Sequence, residues 1–185
     1  MIIGYKISGY DNDSYMTGSC ERLFPEAGNV PKCEKCGYRT DYRYTNKDFV
    51  LKRKTMDFSS TYDRINIVSL KFKEFCKRYG YENLVFVELP KSPDFFQFYV
   101  EGNILEFNAG KKDKFCDVCG QYESVVAPSI KRENITAPLP NGFYQSDLWF
   151  GSGNEKSPLT IISTVTKEKL DREKFKNICV NKIEI

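Results

Sequence analysis

The chain contains no histidine among its 185 residues. That excludes Ser-His-Asp and Cys-His catalytic sets, an imidazole general base and every metal site with a histidine ligand. No apolar run approaches the roughly 20 residues that a membrane-spanning helix needs. The opening stretch, Met1-Ile2-Ile3-Gly4-Tyr5-Lys6, lacks the basic start and long apolar core of a signal peptide. Its alternation reads as a first strand. Low-complexity segments and flexible linkers are missing, and there is one tryptophan, Trp149. Charge of one sign is also lacking, since 28 Lys and Arg face 25 Asp and Glu for a formal +3. With 41% hydrophobic and 29% charged residues, the chain reads as a soluble globular protein with no membrane partner.

What it does have is cysteine, seven in all. An odd count, a chain well above 100 residues and paired C-x-x-C spacings favour metal in a reducing cytoplasm over a secreted disulfide scaffold. The glycosylation-type triplets Asn12-Asp13-Ser14 and Asn134-Ile135-Thr136 are read as chance matches. Two motifs stand out, Cys33-Glu34-Lys35-Cys36-Gly37 and Cys116-Asp117-Val118-Cys119-Gly120. In each, the two-residue spacer turns both sulfurs inward and glycine accepts the unusual backbone angles of a tight turn. Together they supply four thiolates, a set suited to tetrahedral zinc, with iron as the alternative that the same ligands admit. A four-thiolate site has no open position for water, so the expected role is structural. Four thiolates and one divalent ion would bring the formal charge to +1. Lys32, Lys35, Lys111, Lys112 and Lys114 are read as compensation for the dianionic cluster. Cys76 and Cys179 are expected to be buried free thiols, and Cys20 lies in a loop with no assigned role.

Residues 65–89 and 159–183 align without a gap at an offset of 94, with six identities in 25 positions. Each reads as strand, short helix, strand, with Ser69 and Ser163 placed to cap the helix starts. Phe72, Phe75, Cys76 and Tyr79 form one apolar helix face. The second helix is more polar, with Val165, Leu170 and Phe175 as its expected contacts. A knuckle precedes each unit. The expected fold is therefore α+β: one domain over 1–185, with related β-α-β-containing halves at about 1–110 and 111–185, a mixed sheet, and a split four-cysteine clasp. Phe95–Glu101 and Ile104–Asn108 read as a hairpin turning at Gly102-Asn103. The Pro- and Gly-rich stretch from Ala127 to Pro158 reads as a long irregular connection with a short ordered piece at 147–150.

Tyr38-Arg39-Thr40-Asp41-Tyr42-Arg43-Tyr44 interleaves aromatic and basic residues as a single-stranded nucleic-acid groove does. A half-buried strand with charged outer positions explains the same pattern and is preferred, because the metal-loaded chain is nearly neutral. Tyr144 and Trp149 are the candidate aromatic anchors for a protein partner.

The two knuckles and their long separation resemble the double-CxxCG motif family, whose members are similar to immunity proteins against polymorphic or contact-delivered bacterial toxins. The resemblance continues through Asp147-Leu148-Trp149-Phe150, Leu159-Thr160-Ile161-Ile162-Ser163 and Asn177-Ile178-Cys179-Val180; residues 40–110 add nothing to it. It implies Cys33, Cys36, Cys116 and Cys119 as metal ligands, a cognate protein toxin as partner, and no catalytic residue. It does not identify the toxin or the contact residues. The competing reading is a zinc-ribbon module that binds nucleic acid. A third, an enzyme built on carboxylates, has no constellation to name.

Overall fold

The computed structural model describes residues 1–133 and 135–185. Its elements are β1 (Ile2–Asp11), β2 (Phe58–Ser60), β3 (Asn66–Ser69), α1 (Leu70–Arg78), β4 (Leu84–Glu88), β5 (Phe95–Val100) and β6 (Ile104–Leu105). There follow β7 (Phe107–Phe115), β8 (Tyr122–Ile130), β9 (Phe143–Ser152), β10 (Ser157–Ile162), α2 (Thr164–Glu173) and β11 (Ile178–Glu184). One mixed sheet runs β4-β5-β3-β2-β1-β10-β9-β8-β7, with β11 added to β1 and β6 to β9. The helices have only nine and ten residues. The fold is thus mostly β, curled into a half-barrel, and α+β describes it only loosely.

Both aligned segments are strand, helix, strand, as β3-α1-β4 and β10-α2-β11. Their caps form as read: Ser69 Oγ accepts from Phe72 N–H and Ser163 Oγ from Thr166 N–H. Neither unit is closed by itself. β5 lies antiparallel between β3 and β4, and β1 lies antiparallel between β10 and β11. The strand at the start of the chain is therefore a central strand of the second unit.

The first helix buries Phe72, Phe75 and Cys76 against Phe58, Phe96, Phe98 and Phe143. Leu170 of the second helix and the flanking Phe175 join the same cluster, so one core spans both units. Val165 is 43% exposed, against expectation. Its neighbour Thr166 is buried instead, and its hydroxyl bonds Ser163 Oγ and Gly142 O. A helix start packed on backbone favours a short hydroxyl over an apolar branch. Cys76 is buried as expected, whereas Cys179, near one end of β11, is only half-buried.

Two local expectations fail. Gly102 and Asn103 do adopt positive φ, yet β5 and β6 form no hairpin. Both edges of β5 are already bonded to β3 and β4, so Ile104-Leu105 pairs parallel with β9. The stretch from Ala127 to Pro158 is not a long irregular connection, because the ten-residue β9 crosses it. Its prolines fit strands: Pro128 lies in β8 opposite Ala109, and Pro158 sits at a register shift against Trp149, where a missing N–H disrupts least. Of the two glycosylation-type triplets, Asn12 is fully buried and donates to Ser59 Oγ. Asn134 lies outside the described residues. No described helix is long and apolar enough to cross a membrane.

Candidate metal centre

The two knuckles are built alike. Gly37 N–H donates to Cys33 O at 2.9 Å, and Gly120 N–H to Cys116 O at 2.9 Å. Each loop is closed behind its first cysteine: Cys33 N–H donates to Tyr38 O, and Cys116 N–H to Gln121 O. The glycines sit at φ +75° and +69° with open space around them. Backbone conformation, and not crowding, is therefore what calls for glycine there.

The four sulfurs meet in one cluster, every pair within 4.8 Å. Cys33 Sγ lies 3.8 Å from Cys116 Sγ, and Cys36 Sγ 3.7 Å from Cys119 Sγ. A tetrahedron with metal–sulfur bonds of about 2.3 Å has sulfur–sulfur edges of about 3.8 Å. The donor set thus fits a four-coordinate metal ion, half from each knuckle. Cys33 and Cys116 are buried, the other two half-buried. The backbone N–H groups of Cys119, and then of Val118, point at the Cys116 sulfur and pull its thiol down to about 7. Burial pushes Cys119 up to about 12 and raises Cys36 as well. A bound cation replaces protons that burial would otherwise retain.

The lysines expected to balance this cluster mostly face carboxylates. Lys35 pairs with Asp117 across the knuckles at 2.6 Å, Lys111 with Asp113, and Lys114 with Glu123. Among the described residues the buried cations are Arg39, expected at a charged outer position of the Tyr38–Tyr44 stretch, and Lys156, which the sequence pattern does not single out. Lys156 Nζ donates to Tyr122 O beside the second knuckle. Burial pulls its ammonium below the ordinary value, while the Cys119 and Cys36 sulfurs act the other way.

Arg39, 1% exposed, ties three loops together. Its N–H donates to Asn154 Oδ1, and its Nη2 donates to Asp63 O and Lys156 O at 2.8 and 2.7 Å. The buried Asp63 carboxylate in turn accepts from Met16 N–H, Thr17 N–H and Thr17 Oγ1. Cys20 belongs to this layer: its N–H donates to Glu155 Oε1 and its Sγ to Ser152 O. Gly153 admits that contact, since a Cβ there would stand 2.0 Å from Cys20 O.

The stretch from Tyr38 to Tyr44 is a loop, not the expected strand. Asp41 Oδ1 accepts from Arg43 N–H at 2.8 Å, an Asx turn that competes with extension. Arg39 is buried, Arg43 pairs with Asp41 and Glu101, and Tyr42 packs edge-on against Trp149 with centroids 5.0 Å apart. Trp149 is accordingly half-buried, as is Tyr144, whose hydroxyl donates to Pro140 O. Larger apolar exposure lies at the second knuckle, where Phe115 is 58% and Val118 64% exposed.

A scan against protein-family models gives no match to this chain, and a search of curated proteins gives none either.

Proposed function

We propose that the protein is a cytoplasmic immunity protein that binds and neutralises a cognate bacterial toxin, with one structural zinc ion held by Cys33, Cys36, Cys116 and Cys119. The observation that carries this reading is the closed four-sulfur cluster joining distant parts of the chain. Four thiolates fill a tetrahedral ion, so the metal stiffens a surface and activates no water. A neutralising protein needs such a surface and no catalytic group. Zinc is favoured over iron because a redox-inert ion serves a purely structural site. Thiols unpaired at Cys20, Cys76 and Cys179 accord with a reducing compartment.

Tyr144 and Trp149 are weaker anchors than their sequence context suggests, since each already has an internal partner. Phe115 and Val118 offer more free apolar surface at the tip of the second knuckle. Nucleic-acid binding gains no support from the Tyr38–Tyr44 loop, whose guanidinium groups are buried or paired.

The test is co-expression with the toxin encoded beside the gene. Rescue of growth and a stable complex at moderate salt support immunity. Strong oligonucleotide binding that falls steeply with salt, without rescue or complex, would move the reading to a zinc-ribbon module.

A further inference from the structure

The strand registers extend the internal repeat far beyond the two aligned segments. Tyr5, Lys6 and Ile7 of β1 pair with Ile162, Ile161 and Thr160 on one side and with Lys182, Asn181 and Val180 on the other. Phe96, Gln97 and Phe98 of β5 pair with Val68, Ile67 and Asn66, and with Glu88, Val87 and Phe86. Adding 94 to each outer-strand residue of the second set reproduces the first at all six pairings. The next strand follows suit: β2 pairs Phe58, Ser59 and Ser60 with Val68, Ile67 and Asn66, and β9 pairs Phe143, Tyr144 and Gln145 with their counterparts Ile162, Ile161 and Thr160. The end of β1 lies parallel on β2 at Asp11 and Ser60, as β6 lies parallel on β9 at Ile104 and Gln145.

Backbone detail repeats as well. Left-handed φ occurs at Gly80 and Lys174, and at Asn83 and Asn177, each pair 94 apart. The knuckles are flanked by the pairings Lys32 with Arg39 and Phe115 with Tyr122, both shifted by 83. The order central strand, knuckle, strand, strand, helix, strand thus occurs twice, with β6, β7 and β8 added around the knuckle of the second copy. In each copy, however, the first strand lies in the other copy's sheet.

We propose that the chain is the fused form of a homodimer: two copies of one metal-binding unit joined head to tail, with their first strands exchanged and the metal on their approximate two-fold axis. In a two-fold assembly a residue touches its own counterpart only at the axis. Three counterpart pairs do so here, namely Cys33 with Cys116, Cys36 with Cys119, and Asn66 Nδ2 with Thr160 Oγ1 at 3.3 Å. Exchange also assigns the metal a different role from a sole clasp. Two interleaved strands and a shared core hold the copies together, and the metal fixes their relative geometry.

Two measurements on the full chain test this. A specific protease site is inserted at the exposed Lys91, in the connection between β4 and β5, and the folded protein is cut, with the uncut parent as the folding control. The exchanged arrangement predicts that both fragments elute as one species of the uncut size, with the metal and, in the cold, after a chelator has removed it. Fragments that part on chelation would overturn the exchange as the joining force. The second variant, F115K/D117E/V118K, writes the first knuckle's Lys32, Glu34 and Lys35 into the second. Equivalent copies predict unchanged metal stoichiometry and a melting midpoint within a few degrees of the parent. Loss of the metal would overturn the equivalence. Neither readout involves a toxin, so both stand or fall apart from the proposed function.

Discussion

Replacing Arg39 with methionine removes a buried cation while keeping much of the side-chain volume. The loss is specific: Nη2 no longer donates to Asp63 O and Lys156 O, at 2.8 and 2.7 Å. Two buried carbonyls then lack a donor, and the fully buried Asp63 carboxylate loses the cation whose Nη1 lies 4.0 Å from it. Breaking a buried pair from one side costs about 3–5 kcal/mol, since the remaining charge stays desolvated. With a urea slope near 2 kcal/mol/M, the denaturation midpoint should fall by about 2 M. The exposed pair of Lys35 and Asp117, with side chains 56% and 69% accessible, supplies the control, and Lys35→Met should cost less than about 1 kcal/mol. Urea titrations of both variants in the metal-loaded state make the comparison. An Arg39→Met midpoint as close to the parent as that of Lys35→Met would refute the reasoning.

Two further outcomes are expected. Phe72, fully buried, meets Phe58, Phe75, Phe98, Phe143 and Phe175 with ring centroids 5.3–6.2 Å away, so Phe72→Ala should cost about 3–5 kcal/mol in a denaturant titration. A loss below about 1 kcal/mol would show that the core is not shared as described. Burial raises the Cys76 thiol above its ordinary 9.0, so the folded state holds a proton that the unfolded chain releases. That contribution is complete below pH 9 and declines as pH rises above it, by at most about 1.4 kcal/mol per unit. Stability measured across the alkaline range should fall less steeply in Cys76→Ala; identical slopes would contradict the assignment.

Local chemistry was legible from the residues alone. The C-x-x-C-G spacing carries its own turn geometry, and serine before an apolar helical period carries its own cap, so both formed where read. Pairing between distant strands was not. Nothing local to Ile104 says that both edges of β5 are taken, and nothing in Pro158 says that its strand shifts register there. The burial of Arg39, expected at a charged outer position, was hidden for a related reason, because an arginine is exposed by default and only tertiary structure places Asp63 and Lys156 O against it. The gapless offset of 94 was visible, but the first strands of the two copies are 91 apart and the knuckles 83. Only paired registers join those offsets into one repeat.

The central claim is that one metal ion, bound by Cys33, Cys36, Cys116 and Cys119, fixes the two halves in place. The loop between Cys36 and Cys116 holds 79 residues, and closing it is worth up to about 4 kcal/mol in chain entropy. Elemental analysis of the purified chain, paired with melting of the parent and of Cys116→Ser, tests this most directly. The account predicts close to one equivalent of zinc in the parent, and loss of the metal together with much of the thermal stability in the variant. A metal-free preparation of the parent chain that melts where the metal-loaded one does would contradict it.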